Sequence, residues 1–352
     1  MRLIIYLFII MLLSFLFKSC SKENISNETT ETIAPNLSDN QASEQTQALY
    51  KYLRSVYGKK ILSSTMANVN WNTKEAENVY KLTGKYPAMN CFDFIHIHHS
   101  PSDWIDYSNI TPVKDWANAG GIVSLMWHFY VPTSENSETY TYKSDTKFKI
   151  ANIFLSNTWE SRFFHEQLDK VCSTLLKLQS ANIPALWRPF HEASGSWFWW
   201  GKEGAEMYVR LWKYTYNYLQ NKGIHNLIWV WTTEKSYDYN WYPGDDYVDI
   251  IGKDLYGKNA SQNHNNWLQI KNSHTKKMIS LSECGNLLAG RTIIKKQASI
   301  EEQWTNGTRW LYFMPWYDYL FNEGKEAVNV RCSDDFWINA MSQPYVISRQ
   351  DI

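Results

Sequence analysis

From residue 45 onward, short apolar runs alternate with stretches of helical periodicity, and a chain patterned this way folds most readily as a parallel sheet built by crossover helices. Strands are predicted near Lys60–Leu62, Ala88–Phe92, Ile122–Trp127, Ala185–Trp187, Leu227–Trp231, Val248–Ile251, Met278–Leu281 and Trp310–Phe313. Helices between them are legible from apolar spacing. Phe164, Leu168, Val171, Leu175 and Leu178 follow steps of four and three, with Ser161 placed to cap the start. Tyr208, Leu211, Trp212, Thr215, Tyr218 and Leu219 form a second stripe that Gly223 would end in the left-handed conformation. Strand–helix units repeated in this way over roughly 300 residues predict an α/β fold, a (β/α)8 TIM barrel over 45–352, whose functional side chains gather at the carboxyl ends of the strands.

Two carboxylates fall at such ends. In Trp187-Arg188-Pro189-Phe190-His191-Glu192, Pro189 lacks the N–H that a ladder needs, so Glu192 sits just past the predicted fourth strand. The loop that follows is punctuated by Gly195 and Gly201 and carries Trp197, Trp199 and Trp200. Indole faces stack on the C–H faces of pyranose rings, so this loop is predicted to be a saccharide platform. Met278-Ile279-Ser280-Leu281-Ser282-Glu283-Cys284-Gly285 repeats the arrangement of apolar run, carboxylate and glycine turn at the predicted seventh strand. Strands four and seven lie across the mouth of an eight-stranded barrel, so the pair can flank one glycosidic bond. Retaining glycosidases hold such a pair at about 5–5.5 Å. Glu192, desolvated by neighbouring Trp and Phe, is the expected general acid and later base. Glu283 is the expected nucleophile, with Arg188, His191 and the phenol of Tyr256 as candidate donors.

The composition agrees with a neutral sugar ligand. Eighteen Trp and 23 Tyr supply more amphipathic aromatic surface than a core needs, while 35 basic and 35 acidic residues balance. That balance gives no electrostatic reason to bind nucleic acid or an anionic membrane. Trp187, Trp212, Trp229 and Trp231 are expected in the core and Trp197 on the sugar. His96-Ile97-His98-His99 leaves two readings open, a metal cluster on one strand face or a loop near the cleft. No metal or cofactor is required by the predicted chemistry.

The amino terminus reads as a targeting signal over 1–20: Arg2, the apolar run Leu3 to Phe17, then Ser19-Cys20. The small residue before Cys20 resembles the cleavage and lipidation box of bacterial lipoproteins; the alternative is an uncleaved membrane anchor. Either places the domain outside the cytoplasm, attached to a membrane or secreted. Residues 21–44 are polar and read as a linker. Cys91, Cys172, Cys284 and Cys332 show no paired metal-type spacing and could be bridges or buried thiols. Nothing requires more than a monomer.

At this point the chain resembles glycoside hydrolase family 26, the β-mannanases of the clan that carries its acid/base after strand four and its nucleophile after strand seven. The segment from Arg188 to Glu192, followed by Gly195-Ser196-Trp197-Phe198-Trp199-Trp200-Gly201, is similar to the family's acid/base segment nearly residue for residue. Trp127-His128, the stretch from Tyr242 to Asp249 leading to Asp254 and Tyr256, and Ser282-Glu283 agree in order and spacing. The resemblance implies a retaining hydrolase of β-1,4-mannosidic bonds in mannan, glucomannan or galactomannan. It also implies that His128, Arg188, His191, Trp197 and Tyr256 surround the attacked sugar and that Trp316 forms its stacking floor. Tyr317 and Cys284 depart from the family's usual residues, which leaves endo and exo action open. β-1,3-Xylan or mixed-linkage β-glucan cleavage, and a non-catalytic glycan-binding lipoprotein, are the alternatives.

Overall fold

A barrel wrapped by helices must bury each strand on both faces, one toward the interior and one toward the surrounding helices. In a computed structural model that describes residues 33–68, 70–290, 292–317 and 331–352, eight strands meet this requirement: β1 (Ile61–Met66), β2 (Met89–Asp93), β3 (Ile122–Trp127), β4 (Ala185–Pro189), β5 (Leu227–Thr233), β6 (Ile250–Tyr256), β7 (Met278–Gly285) and β8 (Tyr312–Pro315). All pair in parallel in chain order, and β8 returns to β1. A two-residue strand, β9 (Val346–Ile347), adds to the amino end of β1. The fold is the predicted (β/α)8 TIM barrel.

Two apolar layers hold it. Leu62, Met66, Met89, Cys91, Met126, Leu186, Val230, Met278 and Tyr312 fill the interior. Phe92, Leu125, Trp127, Trp187, Trp229, Trp231, Ile279 and Leu281 face outward against the helices. Trp187, Trp212, Trp229 and Trp231 are all buried, each indole contributing roughly 1.5–3 kcal/mol by leaving water. Cys91, Cys172 and Cys284 are buried thiols without bridges.

Helix α1 (Glu44–Val56) precedes the barrel, and α2 (Lys74–Thr83), α3 (Thr111–Asn118), α4 (Trp159–Ser180), α5 (Ala205–Asn221), α6 (Ala260–Ser273), α7 (Ile300–Thr305) and α8 (Asp334–Ser342) wrap it. The cap of α4 is Thr158 and not Ser161: the Thr158 side chain accepts from the Ser161 backbone N–H at 3.2 Å. α5 buries the expected stripe, with Tyr216 in place of the partly buried Tyr218, and Gly223 follows it at φ 76°. Between β5 and β6, however, the described residues form only single turns at Tyr239–Trp241 and Asp245–Tyr247. Pro243 and Gly244 interrupt any helix there. Trp241 against Tyr208 and Tyr242 against Trp231 cover the barrel wall in its place.

The described part of the predicted linker, residues 33–43, lies against the barrel. The Ser38 N–H donates to Asp249 and Asp39 meets His225 at 2.9 Å, so backbone and polar contacts dock a segment with no aromatic residue. The signal at 1–20, its Cys20, and 21–32 lie outside the described residues. Among the described residues no helix is long and apolar enough to cross a membrane.

Candidate active site

β4 extends through Pro189, beyond the predicted end at Trp187, since Pro189 still pairs in register with Trp127 of β3. The chain then turns sharply. Phe190 and Glu192 adopt φ 50° and 53° and Ser196 adopts 65°, a left-handed conformation that costs a non-glycine residue about 1–3 kcal/mol and persists only where surroundings over-determine it. Here they do. The Tyr208 hydroxyl donates to the Phe190 carbonyl, the Trp200 indole donates to the His191 carbonyl at 2.8 Å, and the Ser194 hydroxyl donates to Asp238 at 2.7 Å. Asp238 also accepts from the Thr233 hydroxyl and the Glu234 N–H, which ties the loop to the end of β5.

The glycines of this loop answer to close approach. A Cβ at Gly201 would lie 2.0 Å from the Ala193 carbonyl oxygen, and one at Gly195 would lie 2.2 Å from the Trp197 ring. Gly195 therefore lets the Trp197 indole fold back, where its N–H donates to Glu192 Oε2 at 2.9 Å. Trp197 is 43% exposed and Trp199 and Trp200 are fully buried. The predicted platform is thus one indole; the other two are pillars, with the Trp199 N–H donating to the Phe129 carbonyl.

Glu283 comes from inside β7. Lys253 pairs with Leu281 but Asp254 pairs with Glu283, so Ser282 is an extra residue and β7 bulges there. The bulge swings Glu283 into the barrel. Glu283 is 5% exposed, ion-paired to Arg188 through Oε1, and accepts the Tyr256 phenol on Oε2 at 2.8 Å. His191 Nε2 stands 3.9 Å away. Arg188, 2% exposed, also reaches Asp254 at 3.0 Å and the Thr232 hydroxyl at 3.2 Å, while Ser282 donates to Asp254 at 2.6 Å. Its guanidinium joins Glu283 and Asp254 and braces that side of the mouth.

Oxygens of Glu192, Asp254 and Glu283 lie within 4.8 Å of one another. That spacing suits direct attack; a water between two carboxyl groups needs about 6.5–9.5 Å. Crowding the carboxylates disfavours a full set of charges. Burial and then Asp254, Glu283 and Glu234 push Glu192 well above the ordinary carboxylate range. Burial and Asp254 also raise Glu283, but Arg188 offsets this, so Glu192 is displaced farther. Arg188 and the Tyr256 phenol both reach Glu283, whereas Glu192 accepts the Trp197 N–H, so the geometry favours the charge on Glu283 and the proton on Glu192. Burial, followed by His128 and Arg188, keeps His191 neutral.

His128 sits one residue past β3 with its ring 4.6 Å from that of His191 and 5.7 Å from that of Trp316, which lies past β8. Asp93 at the end of β2 fixes it: one carboxylate oxygen meets His128 Nδ1 at 2.5 Å and the other accepts its backbone N–H at 3.0 Å. This leaves Nε2 as the free edge of the ring. Tyr142 and Phe198 pack around the same imidazole. Asp93, Tyr142 and Asp238 were not singled out from the sequence; only the position of Asp93 at a strand end was a signal. His96, His98 and His99 form an aromatic shelf with Trp104, Tyr130 and Tyr140. Burial, then His99 and His96, pushes His98 down to about 4. A ring path through Tyr130 and Tyr142 connects that shelf to His128.

The model of glycosyl hydrolase family 26 matches residues 38–349. A mannan endo-1,4-β-mannosidase of Thermothelomyces thermophilus is 34% identical over 304 residues, 82% of this chain and 58% of that protein. A mannan endo-1,4-β-mannosidase B of a Piromyces species is 32% identical over 306 residues, 83% of this chain and 50% of that protein. The chain thus spans little more than half the length of these curated relatives. The crystal structure of the family 26 domain of an endo-β-mannanase/endo-β-glucanase from Prevotella bryantii superposes with a TM-score of 0.84 at 45% identity, covering 90% of this chain and 99% of that one.

Proposed function

The chain belongs to glycosyl hydrolase family 26, and we propose that it cleaves internal β-1,4-mannosidic bonds of mannan, glucomannan or galactomannan by double displacement. The observation that carries this reading is the pair Glu192 and Glu283, with oxygens within 4.8 Å and unequal hold on a proton. In the first step Glu283 attacks the anomeric carbon. The bond from that carbon to the leaving oxygen breaks, and Glu192 gives its proton to that oxygen. A glycosyl ester on Glu283 results. In the second step Glu192 takes a proton from water, the water oxygen attacks the anomeric carbon, and the ester bond breaks to return the Glu283 carboxylate.

The other residues have roles consistent with their places. Arg188 and the Tyr256 phenol hold Glu283 in line and stabilise it as a leaving group. His128, fixed by Asp93, presents Nε2 to a sugar hydroxyl. Trp197 steadies Glu192 and offers its exposed face to the sugar, and Trp316 lies opposite as a floor. Names of relatives that act on β-1,4-mannan favour that substrate. Digestion of linear β-1,4-mannan beside mixed-linkage β-glucan tests it: early mixed manno-oligosaccharides support internal cleavage of mannan, whereas cleavage of the glucan alone replaces the substrate.

The pH dependence follows from the two carboxyls. Activity needs Glu283 ionised and Glu192 protonated, and both groups are raised, so both limbs of the profile shift above those of free carboxyls, which titrate near about 4.3. With an aryl mannoside whose leaving group needs no proton, Glu192→Gln should abolish the alkaline limb of the glycosylation step and keep the acid one. A retained alkaline limb would assign it elsewhere.

The proposal includes export and anchoring through a lipid on Cys20, supported by Arg2, the apolar run Leu3 to Phe17 and Ser19. Fatty-acid labelling of the full chain in a bacterial host should be lost in Cys20→Ser; equal labelling would exclude that anchor.

A further inference from the structure

The connection from β5 to β6 has no α-helix among the described residues. Tyr239, Tyr242, Asp245, Ser273, His274 and Lys276 line a hollow of about 310 Å³ there, a size within the range of small-ligand sites. Tyr239, part of this lining, is 48% exposed, and Tyr237, 73% exposed, lies next to it with ring centres 6.0 Å apart. Aromatic side chains of this size normally bury themselves, and an exposed pair beside a hollow marks an interaction site. Tyr237 also holds φ 64°, a conformation that costs a non-glycine residue about 1–3 kcal/mol while its ring gains little burial in return.

The polar groups fit a neutral polyol. Tyr242 donates to Asp245 at 2.7 Å and Ser273 donates to the Tyr239 hydroxyl at 3.0 Å, so donors and acceptors are already oriented at the wall. Asp245 pairs with Lys277 at 3.8 Å and shares the lining with Lys276, so both signs of charge are present at the wall and neither stands alone. His274 packs edge-on to Tyr242 at 4.5 Å, and burial keeps its imidazole neutral. Ser273 ends α6 and Lys276 lies just before the amino end of β7, whereas Glu192 and Glu283 occupy carboxyl ends of strands.

We propose that this recess, with Tyr237 and Tyr239, is a second carbohydrate-binding site that holds the polysaccharide on the barrel flank, apart from the cleft that cleaves it. The identity of the polysaccharide rests on the function proposed above. A pyranose stacks on the exposed phenol rings, and its hydroxyls meet Asp245, Ser273 and the polar wall. Such a site raises the time spent on a long or insoluble chain and leaves cleavage of a short one unaffected.

Adsorption to insoluble β-1,4-mannan, β-1,3-xylan and mixed-linkage β-glucan is measured for the full chain and for Tyr237→Ala/Tyr239→Ala, with mannohexaose hydrolysis in parallel. The double variant should lose about two- to tenfold in affinity for the polymer that the enzyme cleaves and keep its rate on mannohexaose. Tyr237→Phe/Tyr239→Phe, which keeps the ring faces, should retain most adsorption and controls for folding. Adsorption by the Ala variant equal to wild type on all three polymers overturns the site. Tyrosine-dependent adsorption by a protein that cleaves none of them supports the site and overturns the proposed function.

Discussion

Glu283→Ala is expected to lower turnover of mannan by at least about 10⁴-fold, because it removes the atom that forms the covalent intermediate of the proposed mechanism. Its effect on stability should be small or favourable. Arg188 keeps Asp254 as a partner at 3.0 Å, and the carboxyl that is lost is one whose charge burial opposes. Calorimetric binding of manno-oligosaccharide should stay within a few-fold of wild type. A small nucleophile such as azide, entering the space vacated, should restore part of the turnover with an activated aryl mannoside. Turnover within tenfold of wild type would remove Glu283 from the nucleophile's role.

Arg188→Met strikes fold and chemistry together. Arg188 joins Asp254 and Glu283 beneath the mouth, and removing one partner of a buried ionic cluster costs about 3–5 kcal/mol. The remaining carboxyls respond by taking up protons. Arg188 is an influence that lowers the Glu283 pKa, so its loss raises that pKa further and moves the acid limb of the activity profile upward. A carboxyl whose folded pKa exceeds its unfolded one contributes stability below the unfolded value and loses it as pH rises through the folded value. The deficit of the variant in thermal melting should therefore be largest above neutrality and smallest in acid. A uniform deficit at every pH would mean that Arg188 acts by packing alone. Asp254→Asn in the same background should recover part of the stability and none of the activity.

The barrel was legible because its strands are short, fully buried runs between helical stripes. Their ends were not. β5, β6 and β7 each run farther than predicted because Thr232, Thr233, Lys253, Asp254, Ser282 and Glu283 continue the ladder with polar side chains. An apolar run stops where the functional layer starts, so the pattern underestimates the very residues that build the site. The regular alternation also predicted a helix between β5 and β6, which Pro243 and Gly244 prevent. Glu192 and Glu283 were singled out from strand ends and glycine turns, and the fold brings their oxygens within 4.8 Å. Asp238 was not, because its partner Ser194 is 44 positions away in the chain and only the fold brings them together. Loop position left Trp199 and Trp200 open between ligand and core, and their N–H groups find carbonyls deep in the wall.

Ser282 makes the seventh strand change step. Met278 belongs to the interior and Ile279 and Leu281 to the outer layer; the same beat carried onward would send Glu283 toward the helices and Cys284 into the mouth. The observed order is reversed, with Glu283 on Arg188 and Cys284 in the outer layer. The supporting stem and the reactive tip of this strand are thus two reading frames joined by one syncopated residue. The carboxylate stands where it does by odd and even count as much as by its own contacts. Were Ser282 taken up as an ordinary rung of the ladder, a thiol would stand at the mouth and a carboxylate in the grease, without either side chain altered.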